Sequence, residues 1–501
     1  MKRFVIITIL AAVFFPSISF AQSETWVAGA PSTWQMNKKQ PLGFRINMAF
    51  RYENENSALS REDWNGTSSS FSIVKDLTFK KSTSILDFGG EFGFKGFSLF
   101  FNLPIILSSQ ATYGFRSGST YPGYSEYNQC LLNHVGEESK CDPSGVNARN
   151  STTVTDGISD GLGFSDTPLD GQAGDRTLFT GKKRSGLDQL HLGLKINIPI
   201  FNQIEDRSKP FWIFVIDLGL PVGDTMDFKR TGDGSPVCGS GSPCSDPAVQ
   251  RPVLNSAVGR GVYDITLSSV MSKFIGRFDS FFRIYATLPF AYSPDSFYGK
   301  DYNFTDNWGM KSMKAPIKGG FEFGTDINVY KNKGSKIAIN LFGRGAIRGV
   351  FEGQDYSEGY ELFAGSPALN ITDDFYTNSV DHPGTYDPVL ANRLRYFPGI
   401  TTVENYLIFE AQLGVRARIT EWAIFEIGYG LRHHTEHFIT YADRGIDGKA
   451  GVAANTTAGQ IDLNTKEINP YFRPNIDSTG NRYRIQETMI HSFLISVKVM
   501  Y

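Results

Sequence analysis

The run Leu407-Ile408-Phe409-Glu410-Ala411-Gln412-Leu413-Gly414-Val415-Arg416-Ala417-Arg418-Ile419 alternates apolar and polar side chains almost without a break. Successive side chains of a strand point to opposite faces. One face therefore carries Leu407, Phe409, Ala411, Leu413, Val415, Ala417 and Ile419, and the other Glu410, Gln412, Gly414, Arg416 and Arg418. The same rhythm closes the chain, where Phe493, Ile495, Val497, Val499 and Tyr501 alternate with Ser492, Leu494, Ser496, Lys498 and Met500. Runs of this length exceed the ~5–6 residues of a typical soluble strand and reach the ~9–11 that cross a bilayer at a tilt.

Working outward from these two runs, about twelve such segments emerge, near 42–52, 83–94, 97–113, 186–201, 211–222, 262–274, 277–292, 315–330, 335–351, 404–419, 422–441 and 485–501. Their connections alternate. Lys95-Gly96, Ile275-Gly276, 331–334 and Thr420-Glu421 read as tight turns, with a short link at 202–210. The connections near 53–82, 114–185, 223–261, 293–314, 352–403 and 442–484 are long and rich in Gly, Asp, Ser and Asn. Short turns on one rim and long loops on the other predict an all-β fold: a transmembrane, antiparallel, up-and-down β-barrel of about twelve strands. Closure is required because lipid satisfies no open strand edge. An even strand count puts both termini on the short-turn, periplasmic side. Aromatic residues near strand ends, Phe201, Trp212, Phe274, Tyr330 and Trp422 at one rim and Tyr52, Tyr113, Tyr292 and Tyr441 at the other, fit interfacial girdles. Pro104, Pro199, Pro221 and Pro289 are expected to end pairing or to introduce bulges.

The chain as a whole resembles bacterial outer-membrane β-barrel proteins. Phe493, Ile495, Val497, Val499 and Tyr501 are similar to their C-terminal assembly signal, which implies recognition by the barrel insertion machinery. A narrower resemblance spans about a hundred residues. Asp188-Gln189-Leu190-His191-Leu192-Gly193-Leu194-Lys195, then Leu218-Gly219-Leu220-Pro221-Val222-Gly223-Asp224, then Gly261-Val262-Tyr263-Asp264-Ile265-Thr266-Leu267 are similar to a barrel family linked to phenol-degradation pathways. That resemblance implies movement of small molecules, although the long loops depart from the family's compact pattern.

Composition agrees with this placement. The 501 residues include 51 Gly and 14% aromatics, and no mature segment approaches the ~20 apolar residues of a membrane helix. The mean hydropathy is −0.23. Net charge is −2, becoming −4 on loss of a leader that carries Lys2 and Arg3, so nothing supports nucleic-acid binding. That leader, residues 1–21, has an apolar stretch from Phe4 to Phe15 and a Ser19-Phe20-Ala21 cleavage site. Its removal is expected to start the mature chain near Gln22, outside the cytoplasm, and the barrel reading puts that chain in the outer membrane of a Gram-negative (diderm) bacterium, with a short periplasmic segment at 22–41 before the barrel at 42–501. Cys130 with Cys141 and Cys238 with Cys244 are spaced for two local disulfides, each restraining only its own loop.

Lipid sets the faces. A basic side chain turned outward at the midplane costs up to ~2–4 kcal/mol, so the charged rows belong to the lumen. The expected pore lining is Arg45, Arg51, Asp87, Glu91, Lys195, Asp217, Asp279, Arg283, Glu322, Asp326, Arg344, Arg348, Glu410, Arg416, Arg418, Glu426, Arg432 and Lys498. Basic residues concentrate on the last four strands and the first, and acids on strand two and strands five to eight, which predicts opposing arcs of charge. Such a lining sets solute selectivity when hydrated, or forms a salt-bridge network when closed. The expected function is an outer-membrane channel or facilitator for diffusion of small solutes. A plugged barrel acting in surface interaction or adhesion through its loops is the alternative, and a lipid-modifying enzyme is disfavoured. Of His433, His434, Glu436 and His437, alternation sends His433 and His437 outward and the other two inward, which splits any metal set. The Asp-rich stretch holding Asp156, Asp160, Asp166, Asp170 and Asp175 lacks a defined calcium motif. No cofactor, metal or catalytic set is expected; the partners are membrane lipid, the insertion machinery and a small-molecule solute.

Overall fold

A computed structural model describes residues 42–65, 70–94, 96–115, 177–197, 209–229, 253–298, 313–331, 337–364, 369, 371–372, 394–395, 397–420, 422–443 and 471–500. The leader, the segment at 22–41, all four cysteines, the Asp-rich stretch at 156–175, Pro199, Phe201 and Tyr501 lie outside these residues.

Twelve long strands close into one antiparallel barrel. They are β1 Leu42–Asn65, β2 Ser70–Phe94, β3 Phe97–Phe115, β4 Gln189–Asn197, β5 Phe211–Pro221, β6 Val262–Ile275, β7 Phe278–Tyr292, β8 Lys318–Lys331, β9 Ala338–Val350, β10 Tyr406–Arg418, β11 Ala423–His434 and β12 Tyr483–Met500. Each pairs with its sequence neighbours, and β1 closes on β12 from Arg45 opposite Met500 to Arg61 opposite Tyr483. Closure leaves no open edge along the wall. At the short-turn rim, Ile275 pairs with Phe278 around Gly276, whose φ of 64° lies in the left-handed region that a tight hairpin needs.

The outward rows are apolar and exposed. Leu407, Phe409, Leu413 and Val415 on β10, Phe425, Ile427 and Tyr429 on β11, and Phe493 and Ile495 on β12 form a continuous belt. In water such a belt would be an aggregating surface; against hydrocarbon it is the stable exterior.

Three expectations need correction. The connection at 53–82 is strand, not loop: β1 has 24 residues and β2 has 25, paired from Leu42 opposite Phe94 to Asn65 opposite Ser70. Past Tyr52 the hairpin carries polar residues on both faces, so apolar alternation stops before pairing does. Tyr113 does not join a girdle. The β2–β3 register skips Leu107 between Ile106 and Ser108, which reverses the facing of everything beyond it and turns Tyr113 into the lumen. A matching irregularity beside Pro289 skips Phe290, and Tyr292 stacks on Tyr298, with ring centroids 5.1 Å apart. His437, expected outward, is buried and stacks on the Tyr406 ring at 3.8 Å, while Glu436 is exposed and pairs with Arg484. β11 ends at His434, so the outward-inward count does not extend to them.

Candidate functional site

The lumen is filled by charge, in two levels. Towards the short-turn rim, Glu426 of β11 accepts from Lys498 of β12 at 2.8 Å and from Arg416 Nε of β10 at 3.2 Å. Arg416 also pairs with Asp326, two strands away on β8. Arg344 lies between Glu426 at 3.5 Å and Glu322 at 4.0 Å, and Arg283 reaches Glu322 at 3.7 Å. On β2, beyond β1, Glu91 is a second hub. It pairs with Arg45, takes a bond from Lys195 Nζ at 3.1 Å and accepts from Ser98 Oγ at 2.6 Å. His191 and Asp217 meet at 3.2 Å beside it in the wall.

The second level lies towards the long-connection rim. Glu410 accepts from Arg348 at 2.7 Å and from Arg432 at 3.4 Å. Glu53 accepts from Arg432 at 3.4 Å and from Arg51 at 3.3 Å, and Arg51 approaches Asp87 at 4.0 Å. Of the expected lining residues, Arg418 alone is exposed, at the rim end of β10, and Asp279 is half-buried near the same rim; the remainder are inward and largely buried. The expected opposing arcs are not present as separate fields. Basic and acidic residues meet across adjacent and next-nearest strands, so charge is neutralised locally.

Above this level the connection after β9 turns into the barrel mouth. Gly353–Asp355 pairs with Thr401–Val403, and a short helix, Tyr360–Phe363, follows with every residue buried. Aromatic and apolar side chains hold it there: Tyr298, Met313 and Ile400 pack in one cluster flanked by Tyr356, and Leu254, Tyr360 and Ala364 in another. Tyr113 Oη donates to the Glu358 carbonyl at 2.6 Å. Arg184 is the central tie. Its Nε donates to Glu361 at 3.0 Å, and its Nη1 to the carbonyls of Asn255 and Ala257, each at 3.0 Å. Gly181 permits this, because a Cβ there would stand 1.6 Å from Glu361 Oε2. A second tie joins Arg260 and Lys318 to Asp355 at 3.4 and 3.7 Å. Burial works to raise the Asp355 carboxyl, but Arg260 and Lys318 outweigh it and hold the group below its ordinary value. At Glu361 burial prevails and raises the carboxyl despite Arg184.

Between this cap and the wall lies a cavity of ≈ 340 Å³, lined among others by Glu53, Glu55, Arg184, Tyr360, Arg432 and His434. Of these, alternation predicts Arg432 and His434 to face inward. Glu53 and Glu55 sit on the stretch of β1 read as loop, and Arg184, Tyr360 and Glu361 on long connections without a period. Their one visible signal was the aromatic cluster Tyr356, Tyr360 and Phe363 in an otherwise polar stretch.

The chain matches no family model and no curated protein sequence. Solved structures do resemble it. An outer-membrane channel of Pseudomonas putida F1 aligns over 91% of this chain and 95% of its own, at 8% identity and a TM-score of 0.34. A FadL homologue of Pseudomonas aeruginosa aligns over 92% and 90%, at 7% identity and a TM-score of 0.31. The outer-membrane protease OmpT of Escherichia coli aligns over 91% and 97%, at 7% identity and a TM-score of 0.26. These proteins are bacterial outer-membrane barrels of differing activity, and likenesses of this size transfer neither substrate nor reaction.

Proposed function

We propose that this barrel is an outer-membrane channel that passes small polar solutes through a charged lumen, entering by the capped cavity. The observation that carries the reading is the charged interior itself. A buried ion pair is seldom more stabilising than apolar residues of the same volume, so stability alone does not account for a lumen built from Arg, Lys, Asp and Glu. Rings of charge are what aqueous passages use to admit and select solutes. The cavity, at ≈ 340 Å³, falls at the small end of ligand-sized pockets and suits a small molecule rather than a chain. On this reading the ion pairs below the cavity are the constriction, and passage exchanges their partners for solute and water.

The test is single-channel recording from the refolded chain in planar bilayers. Discrete conductance steps are expected. Glu410→Gln, which frees Arg348 and Arg432 from their shared carboxylate, should shift the reversal potential towards anions. A folded barrel that stays silent in every variant is the plugged, surface-binding protein instead.

A further inference from the structure

The cavity beneath the cap carries buried polar atoms that the protein leaves unanswered. Arg184, though tied through Nε and Nη1, has no partner for Nη2 among the described residues, and Tyr360 has none for its hydroxyl. Both residues are more than nine-tenths buried, at 7% and 4% exposure. The guanidinium lies over the Tyr360 ring, 5.4 Å from its centroid, so the two donors form one cluster. Leaving such groups dry and unpaired is destabilising, more so for a charged one, unless something else supplies the acceptor. A planar carboxylate meets a guanidinium edge well. The same cavity also holds unanswered acceptors, among them Glu55 Oε1 on β1 and Glu361 Oε2 on the cap, with the Glu358 carboxylate among its other lining groups. Glu53 also lines this space, with Lys81 and Arg432 on the same wall, and the unanswered Glu55 oxygen is the acceptor that an ammonium donor would meet.

From this pairing of spare donors and spare acceptors in one small space, we infer that the cavity is a binding site for a small zwitterionic solute of the α-amino-acid class. Its carboxylate is held by Arg184 Nη2 and the Tyr360 hydroxyl, and its ammonium by Glu55. Ile106, Val258 and Met226 line the same cavity and leave apolar room for a side chain. The inference rests on the channel reading only for its biological purpose, since binding and passage are measured separately.

The experiment is isothermal titration of the full folded chain in detergent with L-leucine, isovalerate and isoamylamine, which present both charged groups, the acid alone and the amine alone. L-Leucine should bind at least tenfold more tightly than either single-ended analogue. Tyr360→Phe should weaken L-leucine and isovalerate by a similar factor, about tenfold for a bond to a charged group, and leave isoamylamine unchanged. Glu55→Gln should remove the advantage of L-leucine over isovalerate and leave isovalerate itself unchanged. Equal binding of L-leucine and isovalerate, or indifference to Glu55→Gln in a variant with wild-type heat-modifiable migration, overturns the assignment. A barrel that conducts ions yet binds none of the three overturns this site and leaves the channel reading standing. One that binds L-leucine but never conducts overturns the channel reading and leaves the site.

Discussion

Replacing Glu361 by Gln should release the cap. The carboxylate is the only acidic partner described for Arg184, and both side chains are buried, at 8% and 7% exposure, so solvent screens the pair little. Removing one member of a buried pair costs ~3–5 kcal/mol, because the remaining charge stays desolvated. The lower end applies here, since Arg184 keeps the carbonyls of Asn255 and Ala257. At ~1.4 kcal/mol per tenfold, ~3 kcal/mol raises the displaced population of the cap about 100-fold relative to the seated one. If the seated cap limits entry, open probability in planar bilayers should rise by a comparable factor until it saturates. The cost arises from an orphaned charge, so the double variant Arg184→Met with Glu361→Leu should return the barrel to wild-type gating. Open probability within twofold of wild type for folded Glu361→Gln would refute the latch. A double variant as open as the single would show that shape, not charge, holds the cap.

Two further outcomes concern the 471–482 segment and the orientation of the barrel. Asp477, outside the membrane span, accepts from the Ala442 and Arg473 amides, yet burial raises its carboxyl to about 7. A raised acid keeps its stabilising neutral form below an ordinary value near ~4 and loses that stability as pH climbs through about 7. Limited proteolysis within 471–482 should therefore be faster at pH 8 than at pH 6, after correction for the protease's own profile, and Asp477→Asn should flatten the difference; an unchanged ratio in that variant would assign the effect elsewhere. From the sequence reading of the orientation, an epitope inserted at Gly161, outside the described residues, should be reached by antibody on intact cells and one at Gly276 should not, and labelling at Gly276 would invert the orientation.

Much of the architecture was legible in the residues. The period-2 runs locate all twelve strands, and the cost of placing Arg416 or Lys498 in hydrocarbon is enough to choose the inward face, because lipid penalises charge wherever the neighbouring strand lies. The same rule fails at Tyr113 and Tyr292. A single skipped residue reverses the facing of all that follows, and a bulge leaves no periodic mark before the partner strand is known. It also fails at 53–65, where pairing continues beyond the membrane and neither face needs to be apolar.

What the tertiary structure alone decided is which charge meets which. Arg416 lies opposite Glu426 through the β10–β11 register, but its contact with Asp326 depends on the stagger of β8, β9 and β10 around the closed wall. Sequence ordering therefore suggested opposing arcs where closure produces local neutrality. The cap is the other such decision. Tyr360, Glu361 and Arg184 stand in connections that have no period, and their burial exists only because the mouth of the barrel brings 181–184, 255–257 and 360–364 to one place. Alternation is a property of one strand against its surroundings and can be read from that strand; partner choice is a property of several segments at once and appears only when the barrel has closed.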